Sequence, residues 1–238
     1  MSWLYNVDIN NEDCEKMLKK MKKNNKKVDL IITDPPYIIN FRSNRRTKMP
    51  KFDHLKWDTK KGSDDFKNKL SNCFKLFYDL LKDNSAIYVF AGWQTIDFFK
   101  QEIESAWFKI KNILIWVKNN HGSGDLKGAY APKYEMIIYA VKWRHILNGK
   151  RYPDILEYKK ISSKALKHPT QKPVDLLRFL VEKSSKEWDI VLDPFMGSGS
   201  TWVACFNEKW KIDRSFTGIE LDKQYYDIAN ERISDKTF

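Results

Sequence analysis

VDLIITDPPY (28–37) joins an apolar, β-branched run to a carboxylate, two prolines and an aromatic ring. Val28, Leu30, Ile31 and Ile32 do not alternate strictly with polar residues, the pattern of a strand covered on both faces, as in a parallel sheet flanked by helices. Runs of the same kind recur as AIYVFAG (86–92), ILIWVK (113–118), EMIIYAV (135–141), DIVLDPF (189–195) and FTGIEL (216–221). Segments of helical character lie between and around them at 12–23, 65–82, 94–105, 173–186, 200–209 and 222–234, with Pro173 suited to a first helical turn and Asp222 to an N-cap. This alternation predicts a doubly wound α/β fold with a mainly parallel sheet, in one domain spanning 1–238, without internal repeats.

Composition narrows the class. Hydrophobic residues make up 42% of the 238 and glycine plus proline only 17, which excludes a disordered or low-complexity chain. The N-terminus MSWLYNVDIN lacks a basic region followed by an apolar one, and no apolar run approaches membrane-spanning length, so a cytoplasmic protein with no membrane partner is expected. Cys14, Cys73 and Cys205 are far apart, odd in number and without C-x-x-C spacing, and the four histidines are scattered. Reduced buried thiols are expected, with no disulfide framework and no metal site.

The net charge of +12 is concentrated. Residues 42–61 carry eight Lys/Arg against Asp53 and Asp58, and residues 141–167 carry eight against Asp154 and Glu157, a net +6 in each. With Trp57, Trp143, Tyr152 and Tyr158 among them, two such concentrations favour a polyanionic partner over an evenly solvated surface. Residues 40–64 form a basic loop without clear period, and 119–132 (NNHGSGDLKGAYAP) a turn-rich one; loops this long in a compact domain border functional sites.

Ligands of open α/β sheets bind beyond the carboxyl ends of the strands, where strand order reverses. DIVLDPFMGSGST (189–201) ends a strand at Asp193 and turns through Gly197 and Gly199 into a helix near Ser200, a loop where backbone amides can approach a ligand. It lacks the Lys-Ser/Thr of a phosphate-binding P-loop. Glu220 closes the following strand 27 positions after Asp193, placed to accept hydrogen bonds from ribose hydroxyls. Asp193–Gly199 with Glu220 therefore reads as a site for a nucleoside-type cofactor.

DPPY (34–37), HPTQKP (168–173), DPFMGSGST (193–201) and GIELD (218–222), in this order with the catalytic motif first, resemble the S-adenosylmethionine-dependent DNA amino-methyltransferases, in the permuted arrangement of their β class. The resemblance spans about residues 8–234. It implies a Rossmann-like methyltransferase fold, S-adenosyl-L-methionine as cofactor, and methylation of an exocyclic amine of a base flipped out of double-stranded DNA. It further implies that Asp34, Pro35, Pro36 and Tyr37 grip the target base. His168, Thr170, Gln171 and Lys172 would face the methionine end of the cofactor, Asp13 and Cys14 its adenine, with Phe195, Ser198, Thr201 and Asp222 completing its site beside Asp34, Asp193, Gly197, Gly199 and Glu220. For Asp13 an N-cap, and for Phe195 a core position, explain the residue equally well.

The chemistry suits these residue types. The lone pair of an exocyclic amine is delocalised into its ring, and Asp34 with the carbonyl of Pro35 can accept both N–H groups and hold the lone pair toward a methyl donor. Prolines offer no N–H of their own and stiffen the turn, while Tyr37 offers a stacking face for an extruded base. Aspartate in the first motif position is, in this family, typical of N6-adenine enzymes; serine is commoner for N4-cytosine, which stays an alternative, as does an RNA substrate. Carbon-5 methylation requires a Pro-Cys nucleophile, and the three cysteines follow Asp13, Asn72 and Ala204. Residues 141–167 correspond to the family's target-recognition region. Arg42, Arg45, Arg46, Arg144 and Arg151 are the candidates for DNA contacts. The brevity of that region is compatible with a short site or with a homodimer, and a cognate restriction endonuclease is a further partner that the resemblance allows.

Overall fold

The structure, a computed structural model, describes residues 6–36, 60–122, 127–161, 171–206 and 214–234. In chain order the elements are β1 (Val7–Asn11), α1 (Cys14–Lys23), β2 (Val28–Thr33), α2 (Lys60–Leu80), β3 (Leu81–Ala91), α3 (Ile96–Ser105), β4 (Lys109–Val117), β5 (Tyr134–Val141), β6 (Ile155–Glu157), α4 (Val174–Ser184), β7 (Ile190–Asp193), α5 (Ser200–Ala204), β8 (Ser215–Glu220) and α6 (Lys223–Ser234). The strands form one eight-stranded sheet in the order β1-β8-β7-β2-β3-β5-β4-β6.

β5 is antiparallel to both neighbours, and every other pairing is parallel. The doubly wound, mainly parallel expectation holds, with β5 running back along β4 from Val117↔Tyr134 to Lys109↔Val141.

Period-two burial explains how the sheet separates two cores. Ile31, Ile87, Val89 and Leu192 face α1, α2 and α3, packing on Leu18, Phe74, Phe77, Phe99 and Ile103. Leu30, Ile32, Tyr88, Phe90 and Val191 face α4, α5 and α6, packing on Leu176, Leu180, Trp202 and Ala229. Strands covered on both sides need apolar residues at successive positions, and burying each of these large side chains contributes about 1.5–3 kcal/mol.

Several boundaries differ from the sequence reading. Residues 60–64, assigned to the basic loop, open α2; most of that loop (40–59) lies outside the described residues. The 141–167 segment contains the short edge strand β6, and VDINN forms β1; both are too short and polar to announce themselves by pattern. Pro173 is the residue before α4, extended at φ −61° and ψ 130°, and not its first turn. Of the expected 200–209 helix, Ser200–Ala204 is helical and 207–209 lies outside the described residues. Asp222 caps α6 as expected, its Oδ1 accepting from the amides of Gln224 (2.8 Å) and Tyr225 (3.3 Å). None of the three cysteines forms a disulfide, and all three are buried. Among the described residues no helix is long and apolar enough to cross a membrane.

Trp107 (φ 67°), Trp143 (φ 65°) and Trp188 (φ 72°) adopt left-handed backbone with exposed indoles. For a bulky side chain this conformation costs about 1–2 kcal/mol. Glycine would relieve it while losing about 0.5–1 kcal/mol in unfolded-state entropy. Trp188→Gly is therefore predicted to stabilise the protein by roughly 0.5–1 kcal/mol, raising the thermal midpoint by about 2 °C. A lowered midpoint would mean that contacts of the indole outweigh the backbone strain.

Candidate active site

The site follows from one strand pairing. Leu30 pairs with Val191 and Ile31 with Leu192, so the same register sets Ile32 beside Asp193, with Asp34 just beyond the end of β2. From β7 the chain passes through α5 to β8 on one side; from β2 it passes through α2 to β3 on the other. Strand order reverses between β7 and β2, which opens a crevice at their carboxyl ends. A cavity of about 1220 Å³ occupies it, lined among others by Asp13, Cys14, Asp34, Pro35, Pro36, Gln171, Lys172, Asp193, Phe195, Gly197, Ser198, Thr201, Glu220 and Asp222. A single small ligand takes roughly 300–1,000 Å³. The space suits two.

On the β7–β8 side, Asp193 is buried and accepts hydrogen bonds from the Thr201 hydroxyl (2.5 Å) and the Phe195 amide (3.1 Å). Burial pushes its carboxyl up to about 7, against those two bonds and with help from the Asp34 and Glu220 carboxylates. Gly197 turns the chain with φ 52°, and its amide donates to Glu220 Oε2 at 2.9 Å while the Asp222 amide donates to Oε1 at 2.8 Å. Glu220 is raised by burial, which outweighs these amides. Gly199 (φ 79°) is absent from the cavity lining: a Cβ there would stand 3.3 Å from Cβ of Ala229, so this glycine serves the packing of α6.

Asp13 is both cap and lining residue. Its Oδ1 accepts from the Lys16 amide at 3.1 Å, and Lys69 of α2 pairs with Oδ2. Burial would raise its carboxyl, but Lys69 and the Lys16 amide together hold it below the ordinary value. Beside it Cys14 Sγ lies 3.8 Å from Cys73 Sγ, and burial raises the Cys14 thiol well above its usual range, so it is inert.

On the β2 side, Lys172 donates to Asp34 Oδ2 and lies 3.5 Å from Glu135 Oε2. Lys118, just past β4, binds Glu135 Oε1 at 2.6 Å. The Lys172 ammonium sits 5.1 Å from the ring centre of Phe90, and that of Lys118 5.2 Å from the ring centre of Trp116. Burial opposes the charge on Lys172, but the carboxylates of Asp34 and Glu135 outweigh it and raise its pKa. Burial likewise opposes the charge on Glu135, and the two lysines outweigh it.

Tyr37, Arg42, Arg45, Arg46, His168 and Thr170 lie outside the described residues. Arg144 is not brought to the cavity. Residues 142–148 pack on Asn84 and on the end of α4, through Arg144 N to Asn84 Oδ1 (3.3 Å) and Asn148 Nδ2 to the Glu182 carbonyl (2.8 Å). Since Val28 pairs with Leu81 and Thr33 with Val89, Asn84 stands at the end of the sheet opposite Asp34. Lys150, preceding Arg151, is held by Lys183 in the last turn of α4, also away from the cavity. Only the later part of the 141–167 segment climbs β6 to the site, where Lys160 lines the cavity.

Residues that the sequence reading passed over are Glu135, Lys118 and Lys69. Glu135 left a signal: it is the one carboxylate in YEMIIYAV, a strand otherwise without acids. Lys118 and Lys69 left none, being two lysines among many.

The cavity fits S-adenosyl-L-methionine. Gly197 bares the chain at the β7 turn, Glu220 presents a carboxylate where ribose hydroxyls would lie, and Ser200 Oγ is buried in the lining without a hydrogen-bond partner. Among the described residues no three His, Cys, Asp or Glu side chains cluster as metal ligands.

Comparison with known proteins agrees. The profile of the DNA methylase family, N6/N4 type, matches residues 28–231. The type II methyltransferase M2.DpnII of Streptococcus pneumoniae is 31% identical over 93% of this chain and 87% of its own length. M2.LlaDCHI of Lactococcus lactis subsp. cremoris is 30% identical over 96% and 90%. Among solved structures, the M1.HpyAVI–SAM complex superimposes with a TM-score of 0.74 at 29% identity, covering 95% of this chain and 98% of that one. The cytosine-N4-specific PvuII DNA methyltransferase shares the fold at a TM-score of 0.72 and 15% identity, covering 98% and 88%.

The raised Asp193 carboxyl has a measurable consequence. An unfolded aspartate releases its proton near 3.8, and Asp193 in the fold near 7. Between these values the folded state holds a proton that the unfolded state has lost, so stability falls as pH rises, by at most about 1.4 kcal/mol per unit from this group. Asp193→Asn should flatten that slope in cofactor-free protein unfolded by denaturant between pH 4.5 and 7. An unchanged slope would mean that the carboxylate is ionised throughout.

Proposed function

Since the chain belongs to the DNA methylase family of N6/N4 type, we propose that this S-adenosylmethionine-dependent DNA methyltransferase acts on the N6 amine of adenine, extruded from duplex DNA at a defined sequence. The observation that carries the proposal is the meeting of Asp34 and Asp193 on neighbouring strand ends in one cavity. The cofactor supplies an electrophilic methyl group. The protein's own task is to bind the two reactants in line and exclude water, a positioning effect that can account for much of a rate enhancement. Glu220, Gly197 and Ser200 hold the nucleoside end, and Phe195 flanks it. Asp34 and the Pro35 carbonyl accept the N–H groups of the amine, aim its lone pair at the methyl group, and stabilise the positive charge that develops on nitrogen. Tyr37 stacks on the extruded base, and His168, Thr170 and Gln171 complete the methionine end; Lys172, expected there too, pairs with Asp34 and Glu135.

Adenine is favoured over the alternative, N4 of cytosine, by aspartate at position 34 alone, because N4-specific and N6-type enzymes share this fold. Recognition of flanking bases falls to the basic segments: Arg42, Arg45 and Arg46 by their residue type, and the β6 end of 141–167 by its approach to the cavity, where Lys160 lies. A cytoplasmic location, a cognate restriction endonuclease and a homodimer sharing recognition contacts extend the same proposal; the endonuclease has support in the type II relatives.

Labelled methyl transfer from S-adenosylmethionine to unmethylated DNA, followed by nucleoside analysis, should yield N6-methyladenine. N4-methylcytosine would overturn the base assignment, and incorporation only into RNA the substrate. Asp34→Ala should abolish transfer while leaving cofactor affinity within about three-fold, since the lost interaction belongs to the transition state. Affinity for DNA should fall steeply with salt through counterion release; a flat salt dependence would contradict the role of the basic segments.

A further inference from the structure

Four charged side chains form a continuous row along the β2 side of the cavity: Asp34, Lys172, Glu135 and Lys118. Each comes from a different part of the fold, namely the end of β2, the approach to α4, the start of β5 and the end of β4. Lys172 is buried, and its ammonium rests against the Phe90 ring. A lone ammonium there would cost several kcal/mol, and one carboxylate would attract it outright. Two carboxylates share it instead.

That division matters for the reaction. A lysine bound by Asp34 alone would neutralise the carboxylate that must face a developing cation, and it could swing with the Asp34 side chain. A second carboxylate, itself pinned by Lys118, draws the ammonium back and fixes its place. We propose that Glu135 is a positioning residue for methyl transfer, which shares the Lys172 ammonium with Asp34 and so sets the orientation and effective charge of the amine acceptor, an inference that rests on Asp34 being that acceptor. Lys118 holds Glu135 in turn. Glu135 need not touch the cofactor or the base. Its side chain acts through Lys172.

The row also couples to pH. The charged groups facing Lys172 are Asp34 from β2 and Glu135 from β5; Lys118 faces Glu135 from β4, and Asp193 on β7 faces Asp34, with Glu220 on β8 behind it. The carboxylates of Asp34 and Glu135 hold Lys172 protonated to higher pH than usual against its burial. Removing the charge of Glu135 removes one of these supports, so Lys172 would lose its proton at lower pH.

The test is Glu135→Gln in the full chain, assayed by single-turnover methyl transfer across pH alongside cofactor binding by calorimetry and thermal unfolding. We expect kcat to fall about 10- to 100-fold with cofactor affinity unchanged, as for a misplaced catalytic group, and the alkaline limb of the pH–rate profile to move to lower pH. Glu135→Asp, which keeps the charge on a shorter side chain, should restore that limb while leaving kcat between the two. A wild-type rate and limb in Glu135→Gln overturns the proposal. If Glu135→Gln does not fold, Glu135→Asp decides alone: reduced kcat with intact cofactor binding supports the positioning role, and an unchanged kcat overturns it. Asp34→Ala run in parallel separates the layers, since substantial turnover there removes the acceptor itself, whereas loss there with a wild-type Glu135→Gln removes only the positioning residue.

Discussion

Parallel pairing of β2 with β7 is the constraint on which the rest depends. Asp34 and Asp193 are separated by 159 positions, and nothing local holds them together. The pairing of Leu30 with Val191 and Ile31 with Leu192 does, by hydrogen bonding two apolar strands buried on both faces. Because side chains alternate, a slip of one residue would turn Leu30 and Ile31 into each other's cores and move Asp193 away from Asp34. The two hydrophobic layers therefore fix the register, and the register fixes the distance between the halves of the active site.

The cavity is an unusual interior for charge. Asp193, Glu220, Glu135 and Lys172 are all largely withdrawn from water, and each is compensated differently. Asp193 and Glu220 are met by amides and a hydroxyl, which leaves their carboxyls raised by burial. Glu135 and Lys172 are met by opposite charges, and both stay ionised. Along one crevice the protein thus keeps one side whose carboxyls are raised by burial and met by hydrogen bonds, suited to a nucleoside, and another of paired opposite charges, suited to stabilising charge on a reacting amine. The same fold positions both, because β8 and β7 end on one side of the switch point and β2, β3 and β5 supply the other.

Much of this was legible in the sequence because the chemistry sits at strand ends, where local residues state it. DPPY, DPFMGSGST and GIELD each join an apolar run to a turn; Asp34–Pro36 of the first, most of the second and Ile219–Asp222 of the third line the cavity, while the left-handed turn at Gly199 serves packing on Ala229. What escaped was non-local or weakly patterned. β1 and β6 are edge strands of five and three residues, which carry too few apolar positions to show a period. Reading 141–167 as one recognition segment failed to foresee that β5, being antiparallel, delivers residue 142 to the far end of the sheet, so that the charge of this segment is split between both ends. Glu135 was overlooked because its meaning depends on Lys172 and Lys118, which only strand order brings beside it.

The most direct check of this account is a crystal structure of the protein with S-adenosylmethionine bound. The adenosine should lie along the β7–β8 ends with its ribose against Glu220, and the sulfonium methyl group should point across the β7–β2 boundary toward Asp34. A cofactor bound elsewhere, or one whose methyl group points away from Asp34, would contradict the claim that this single strand pairing assembles the reaction centre.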